Sequence, residues 1–315
     1  MKYYPKHQVV TPANPPVYPA SKLQKRYHSF SQSGRFTSAC SPLIYRDDYL
    51  FERGTEQHAF TCEPFHNLVQ HNVISEDGVS FKASHDMLGS KTDFFASEDR
   101  WCRPVMVRTG PDGALWVVDM YRYMIEHPQW LPEKGQNELR PWFRSGENHG
   151  RIYRVVLQDR PPTPVKKTVD PSVSELVVML EHSNGWQRDM AQRTLVRQAE
   201  QKAVPQLEKL LQTSPQPLAR LHALWTLEGL GQLKPARLEN ALADPHAGVR
   251  RNAVRIASNS MVPVRHLNRL INDPDPKVRL ELASSLGNDA EPSSALALGQ
   301  LMVTSADHPY VLAAA

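Results

Sequence analysis

The sequence has 315 residues, with 37 Lys and Arg against 33 Asp and Glu and a formal net charge of +4. A charge this small does not by itself indicate nucleic-acid binding, and no apolar run approaches the ~18 residues of a membrane span. No charged segment followed by an apolar core opens the chain, so no signal peptide is predicted.

The clearest strand pattern lies between Arg103 and Arg122. Apolar residues alternate with other residues over 105–107 and again over 115–117, which is the period of a β-strand. Between them, Gly110-Pro111-Asp112-Gly113 predicts a tight turn in which Gly113 takes a positive φ. A third strand is predicted over 150–157. This order of strand, turn and strand ending in Asp119 is typical of a β-propeller blade.

The preceding residues continue the strand pattern. Strands are predicted over 36–45 and 58–69, and a hairpin over 73–82 turns at Glu76-Asp77-Gly78. At about 40–50 residues per blade, this region holds roughly two or three blades. A closed propeller needs at least about four. We therefore expect an incomplete propeller and, as one class of partner, the missing blades.

The C-terminal part carries a helical repeat. Four similar segments place Arg188, Arg220, Arg250 and Arg279 at intervals of 32, 30 and 29 residues, which predicts a HEAT-type α-solenoid of paired helices. A fifth repeat is predicted to start near Pro292. Asp244 and Asp273 are predicted to be helix N-caps, and Pro245 and Pro274 are predicted to be the prolines of the first helical turn.

The composition divides the chain into four regions. They are a proline-rich N-terminal segment (1–34), the blades of the propeller (35–158), a proline-rich linker (159–170) and the HEAT-like repeats (171–315). The predicted fold is thus part of a β-propeller followed by an all-α solenoid.

Candidate ligand-binding residues cluster around the predicted strands. Asp119 could hold a cation or a substrate hydroxyl, or it accepts backbone N–H bonds in the following turn. His66 and Asn67 could face the central channel of a propeller, or the histidine is buried and satisfied by backbone groups.

Arginines offer a second set of candidates. Arg103, Arg122 and Arg151 could bind an anionic ligand, or they pair with carboxylates between blades. The repeat arginines could form a basic stripe for nucleic acid; their fixed place in each repeat favours a ladder with the turn aspartates, so nucleic acid is the least favoured partner. Because no Asp-x-Asp-x-Asp-Gly loop is present, no metal site is predicted.

Three cysteines are present. Cys40 and Cys62 lie in neighbouring predicted strands, where either a disulfide or two buried thiols is possible; Cys102 would then be unpaired. No two cysteines form C-x-x-C, which excludes a c-type haem site and a zinc ribbon in this sequence.

Several motifs occur together in one order along residues 17–158. They are FTSAC (36–40), YRD (45–47), CEP and HNLV (62–69), RPV (103–105), GPDGAL (110–115), DMY (119–121) and GRIYR (150–154). These motifs resemble the PVC-type (planctomycete) membrane-bound dehydrogenases and haem-binding multidomain proteins. Such proteins carry a propeller similar to quinoprotein glucose dehydrogenases, then HEAT repeats and a c-type cytochrome domain.

The resemblance implies a function that the residues alone do not. It implies a periplasmic or secreted parent protein that oxidises a sugar or alcohol, with a quinone and a c-type haem in full-length relatives and no cofactor in this chain. It also favours a disulfide between Cys40 and Cys62. The alternative is a binding scaffold for protein or carbohydrate without redox activity. On the first interpretation, this chain is a fragment that we expect to be inactive alone. Whether it is an enzyme stays open, since no catalytic residue can be carried over.

Overall fold

A computed structural model describes residues 9–10, 12–23, 33–52, 54, 56–125, 127, 129, 131–165, 170–259, 266–287 and 292–315. The chain divides into two compact units, one of residues 8–76 and 81–165 and the other of residues 1–7, 77–80 and 166–315. The first, the sheet unit, contains antiparallel strands, and the second, the solenoid, contains helices. Much of the predicted N-terminal segment 1–34 lies outside the described residues.

The sheet unit contains two sheets. The first has the order β1-β2-β3-β4 with β5 also paired to β3, and the second has the order β6-β7-β8. The strands are β1 (Cys40–Ile44), β2 (Gln57–Glu63), β3 (Leu68–Asp77), β4 (Ser80–His85), β5 (Phe95–Ala96), β6 (Pro104–Thr109), β7 (Leu115–Asp119) and β8 (Arg151–Val155). Neither sheet closes into a barrel or ring among the described strands.

The predicted turns are found where the sequence places them. Gly113 has φ +85°, and a Cβ built there would lie 2.7 Å from Tyr49 Cβ, so the position requires glycine. Tyr45 donates its hydroxyl hydrogen to the Gly113 carbonyl over 2.6 Å. Gly78, with φ +61°, turns the β3-β4 hairpin. Pro64 ends β2 in a short 3-10 helix, Pro64–His66, so the predicted strand over 58–69 is divided.

The two sheets share an apolar core. Seven buried side chains from both sheets form it: Tyr45, Phe60, Cys62, Val69, Val107, Leu115 and Val117. Next to it, His71 is fully buried on β3, and its Nε2 lies 3.0 Å from His58 Nδ1. Phe51 stacks on both imidazoles. Because a single proton between these two nitrogens is enough for their hydrogen bond, the arrangement favours two neutral imidazoles.

The solenoid contains paired helices. In chain order, after α1 (Glu133–Leu139) in the sheet unit, they are α2 (Val173–Met179), α3 (Gly185–Arg197), α4 (Val204–Thr213), α5 (Pro217–Gly229), α6 (Pro235–Ala241), α7 (Ala247–Asn259), α8 (Pro276–Leu286), α9 (Pro292–Thr304) and α10 (Pro309–Ala314). Leucines and alanines from successive repeats form one continuous core, from Leu176 to Val311. No helix in the described part of the chain is long and apolar enough to cross a membrane.

The repeat arginines occupy the same position in each repeat. Each is the fourth residue of its helix (α3, α5, α7 and α8) and donates from Nη1 to the carbonyl six residues earlier, at 2.6, 2.8, 2.8 and 2.5 Å. These carbonyls belong to the turn before the helix, where no helical partner is available. The predicted register of the repeats is therefore correct.

Aspartates of the next repeat complete a ladder. Arg220 binds Asp244 through two hydrogen bonds of 2.7 Å, and Arg250 binds Asp273 at 2.7 and 2.8 Å. Because all four side chains are largely buried, they form an internal ladder and no basic stripe. The prediction of N-caps at Asp244 and Asp273 is wrong: α8 is capped by Asp275, with Pro276 in its first turn.

Asp244→Ala is expected to destabilise the solenoid by about 3–5 kcal/mol, because the Arg220 guanidinium then stays buried without its carboxylate. Urea unfolding followed by circular dichroism measures this. Glu281→Ala is the control, since Glu281 pairs with the 54 % exposed Arg255 side chain and such pairs contribute only about 0–1 kcal/mol. Equal losses in both variants would show that the ladder does not stabilise the repeats.

Acid is expected to destabilise the sheet unit through its histidine pair. Burial lowers the pKa of both His58 and His71 below the ordinary value of 6.5. As the pH falls, the unfolded chain therefore binds protons at a pH at which both histidines of the folded chain are still neutral. The resulting stability is complete above pH 6.5 and is lost as the pH falls below it. Urea midpoints between pH 7 and 5.5 should fall less for His71→Phe than for the natural chain; parallel curves would contradict this.

Candidate functional site

The predicted charged residues meet at one edge of the β6-β7-β8 sheet. Asp119, 1 % exposed, ends β7 beside the start of β6 and of β8. Its Oδ1 accepts from the backbone N–H groups of Arg103 (2.7 Å) and Tyr121 (2.8 Å), and its Oδ2 accepts from Arg151 Nε at 2.9 Å. Asp119 thus stabilises the turn that follows β7. This is the second of the two roles predicted for it from the sequence, the acceptance of backbone N–H bonds.

Arg103 is a buried clamp on two loops. Its guanidinium donates to the carbonyls of Pro64 (3.0 Å) and Phe65 (3.2 Å) on one side, and to those of Arg122 (2.9 Å) and Tyr123 (2.5 Å) on the other. Five donors in a fixed plane suit this task. Arg103 therefore ties the segment after β2 to the segment after β7.

Arg122 closes a second loop in the same way. Its guanidinium donates to the carbonyls of Met120, Tyr121 and Gly146 and, over 3.0 Å, to that of Glu147. Because Arg122 donates to these carbonyls, it holds residues 146–149 against the end of β7.

His66 and Asn67 lie on the other side of Arg103 and are buried. His66 Nε2 accepts from the Gly34 N–H at 3.1 Å. Asn67 takes the left-handed conformation (φ 61°) and donates to the carbonyls of Arg100 (3.2 Å) and Cys102 (2.6 Å). Their ligand-binding role stays a prediction.

Unlike Asp119 and Arg103, which are buried, Arg151 has a side chain that is 38 % exposed. It bridges buried Asp119 and half-exposed Asp99, the latter over 3.0 Å. Its guanidinium also lies 4.1 Å from the centroid of the Tyr121 ring, within the range of a cation–π contact. Arg151 thus holds a guanidinium at the surface in a fixed position, with its charge balanced by Asp99 and Asp119.

A series of ring contacts leads away from Tyr121. Trp101 lies 5.6 Å from both Tyr121 and Tyr123, measured between ring centroids, and Tyr123 lies 5.0 Å from Trp142. Trp142 is 45 % exposed. We call Trp101, Tyr121, Tyr123, Trp142 and Arg151 the aromatic edge.

Strain marks the aromatic edge as a functional candidate. Tyr121 has φ +54°, a left-handed conformation that costs a tyrosine on the order of 1 kcal/mol or more and persists only when its surroundings impose it. The Asp119 carboxylate, which accepts from the Tyr121 N–H, imposes it here and presents the Tyr121 ring to Arg151.

Sequence reasoning identified Arg151 and missed the four aromatic residues. The one signal available was the close spacing of Trp101, Tyr121, Tyr123 and Trp142 around the predicted strand ends. These residues come together only because the two arginine clamps fold three separate segments onto one another.

Two family models match the chain. Residues 2–159 match a domain of unknown function, DUF7133. The chain belongs to this family. Residues 173–259 match HEAT repeats, which confirms the predicted repeats over α2 to α7. No curated protein matches the sequence. HEAT repeats commonly take part in protein interactions.

The cysteine pair of the DUF7133 region is in register. Cys40 and Cys62 are directly opposite on β1 and β2, where Cα atoms of an antiparallel pair are about 4.5–5.5 Å apart, within the ~7 Å that a disulfide requires. All three cysteines are free thiols in the structure. A hydrogen bond with Cys62 lowers the pKa of Cys40. The disulfide stays a prediction.

Metal ions and covalently attached haem each need a particular set of donor residues. Within the described ranges no group of three or more His, Cys, Asp or Glu side chains could hold a metal ion. The residues also do not fit a c-type haem, because that group is attached through a Cys-x-x-Cys-His segment and the sequence has none. No residue can be assigned to a quinone.

Substitution of Asp119 should separate its two contributions. Asp119→Ala leaves the buried N–H of Arg103 and that of Tyr121 without an acceptor, at about 1–3 kcal/mol each. Asp119→Asn keeps an oxygen for these donors and loses the charge that pairs with Arg151, so a smaller loss is expected. Urea unfolding followed by tryptophan fluorescence compares the two. Equal losses would contradict the assignment of Oδ1 to the turn.

Proposed function

We propose that the DUF7133 region is a non-catalytic carbohydrate-binding module with the aromatic edge as its site. The observation that carries this proposal is the half-exposed Trp142 joined through Tyr123 and Trp101 to Tyr121 and the exposed Arg151. Aromatic rings of this kind combine a large apolar face with nearby polar groups.

A sugar ring has matching chemistry. Its C–H face is apolar and packs on an aromatic ring, while its hydroxyls need donors and acceptors at the rim. Asp99 and Arg151, 37 % and 38 % exposed, provide an acceptor and a donor beside the rings. Because the mutual ion pair fixes both side chains before binding, little side-chain entropy is lost when a hydroxyl docks.

The hydrogen bonds that the candidate residues already make favour binding over catalysis. Asp119 already accepts three hydrogen bonds, and Arg103 and Arg122 donate to backbone carbonyls throughout. A general acid or base must reach the proton that it transfers, and these buried groups are engaged elsewhere.

We further propose that the two sheets are blades of a β-propeller and that the parent protein is exported to the periplasm or secreted. The path β1-β2-β3-β4 within the five-stranded first sheet, followed by the three-stranded second sheet, and the motifs shared with PVC-type dehydrogenases support this. In such a parent, a quinone and a c-type haem would belong to other parts of the protein, and the solenoid would bind a protein partner or the missing blades.

The test is titration of the full chain with neutral mono- and oligosaccharides, followed by tryptophan fluorescence and calorimetry. We expect saturable binding of at least one sugar, weakened at least about tenfold by Trp142→Ala, since aromatic anchors carry most of such binding energy. Trp186→Ala is the matched control, because Trp186 is a similarly exposed tryptophan of the solenoid (39 %). Absence of binding, or equal binding by both variants, would overturn the proposal.

A further inference from the structure

The second helices of four successive repeats, α3, α5, α7 and α8, present one continuous row of side chains. Positions 2, 5, 6 and 9 of a helix lie on one side of it. Position 9 of one helix bonds position 6 of the next: Trp225 Nε1 donates to Asn252 Oδ1 at 3.0 Å, and Arg255 donates to Glu281 at 2.7 and 2.9 Å. We call this row the second-helix face.

Its centre is apolar. Helix α5 contributes Leu218, which is 43 % exposed, together with half-buried Leu221 and Trp225. Trp186 occupies the same helix position as Leu218 in the preceding repeat and is 39 % exposed. Large apolar side chains that share one surface of a soluble protein mark an interaction site more often than isolated ones do.

The rings at the centre are held in place. Trp225 is oriented by Asn252 of the following repeat. His222, on the same side of α5, is buried beneath this surface, and its Nδ1 lies 2.6 Å from Gln192 Oε1 of the preceding repeat. Because both side chains are fixed by neighbouring repeats, the surface does not have to order itself when a partner binds.

Positive charge lies on both sides of this apolar centre. Arg193 occupies position 9 of α3, where position 5 is Asp189, and Arg251 occupies position 5 of α7. Among the carboxylates that the structure describes, none forms an ion pair with either arginine, whereas Arg255 is bound to Glu281. Arg251 Nε is also buried and has no hydrogen-bond partner in the described part of the chain. A buried donor without an acceptor costs about 1–3 kcal/mol.

We propose that the second-helix face binds an acidic segment of a partner protein. Its occupant carries a large apolar side chain, which packs on Leu218 and Trp225, and carboxylates on either side of it, which pair with Arg193 and Arg251. The apolar centre supplies the anchor, and the two unpaired arginines select for negative charge. This inference rests on the protein-binding role proposed above for the solenoid, and it is independent of the carbohydrate site of the sheet unit.

A random 12-residue peptide library displayed on phage and selected on the full chain tests this proposal. We expect enrichment of peptides in which Asp or Glu flanks Trp, Phe or Leu. The Kd of a synthetic enriched peptide, measured by fluorescence anisotropy, should rise at least about tenfold in Arg251→Glu and in Leu218→Asp, and should rise with salt concentration.

The matched control is Arg269→Glu, which reverses an exposed arginine that donates to the Glu239 carbonyl and lies outside the second helices. It should bind the peptide like the natural chain, and circular dichroism should show the same helix content in all variants. Enrichment of basic peptides, absence of any consensus, or equal affinity of the Arg251 and Arg269 variants would overturn the proposal. A dimer in size exclusion that Arg251→Glu dissociates would assign the face to a second copy and would also overturn it.

Discussion

The arginine guanidinium bonded to loop carbonyls is the interaction on which both units depend. A loop that leaves a strand or precedes a helix has carbonyls without a partner in regular secondary structure, and burying them without a donor is costly. In the sheet unit, Arg103 donates hydrogen bonds to four such carbonyls in two loops. In the solenoid, the arginine at the fourth position of α3, α5, α7 and α8 donates to a carbonyl of the turn before its helix.

These clamps explain why so many charged residues here are buried. Arg103, Arg188, Arg220 and Arg279 are each less than 9 % exposed, which would destabilise a protein if the charge lacked partners. Planar arginine satisfies several oxygens at once, whereas lysine would bring one ammonium group to the same place. The ladder aspartates then balance the charge of Arg220 and Arg250 within the solenoid.

The clamps also position the surfaces that we propose to be functional. At the aromatic edge, Arg103 and Arg122 hold the segments that carry Tyr121, Tyr123 and Trp142, while Arg151 reaches the surface. In the solenoid, the ladder keeps successive repeats in one register, so that position 9 of one helix meets position 6 of the next. In each unit a rigid internal network supports exposed aromatic side chains, which is how binding surfaces keep their geometry.

The sequence by itself determined the local elements of this protein. Alternation of apolar residues placed most of the strands, Gly113 marked a turn that only glycine fits, and the spacing of Arg188, Arg220, Arg250 and Arg279 set the helical repeat, because each of these signals is a local property of the backbone. Only the tertiary structure decided which groups the charged residues meet. Asp119 and Arg151 are 32 residues apart, Arg103 and Pro64 39, and the aromatic edge joins three separate segments. Contacts over such separations depend on how the whole chain packs, and no periodicity in the sequence encodes them.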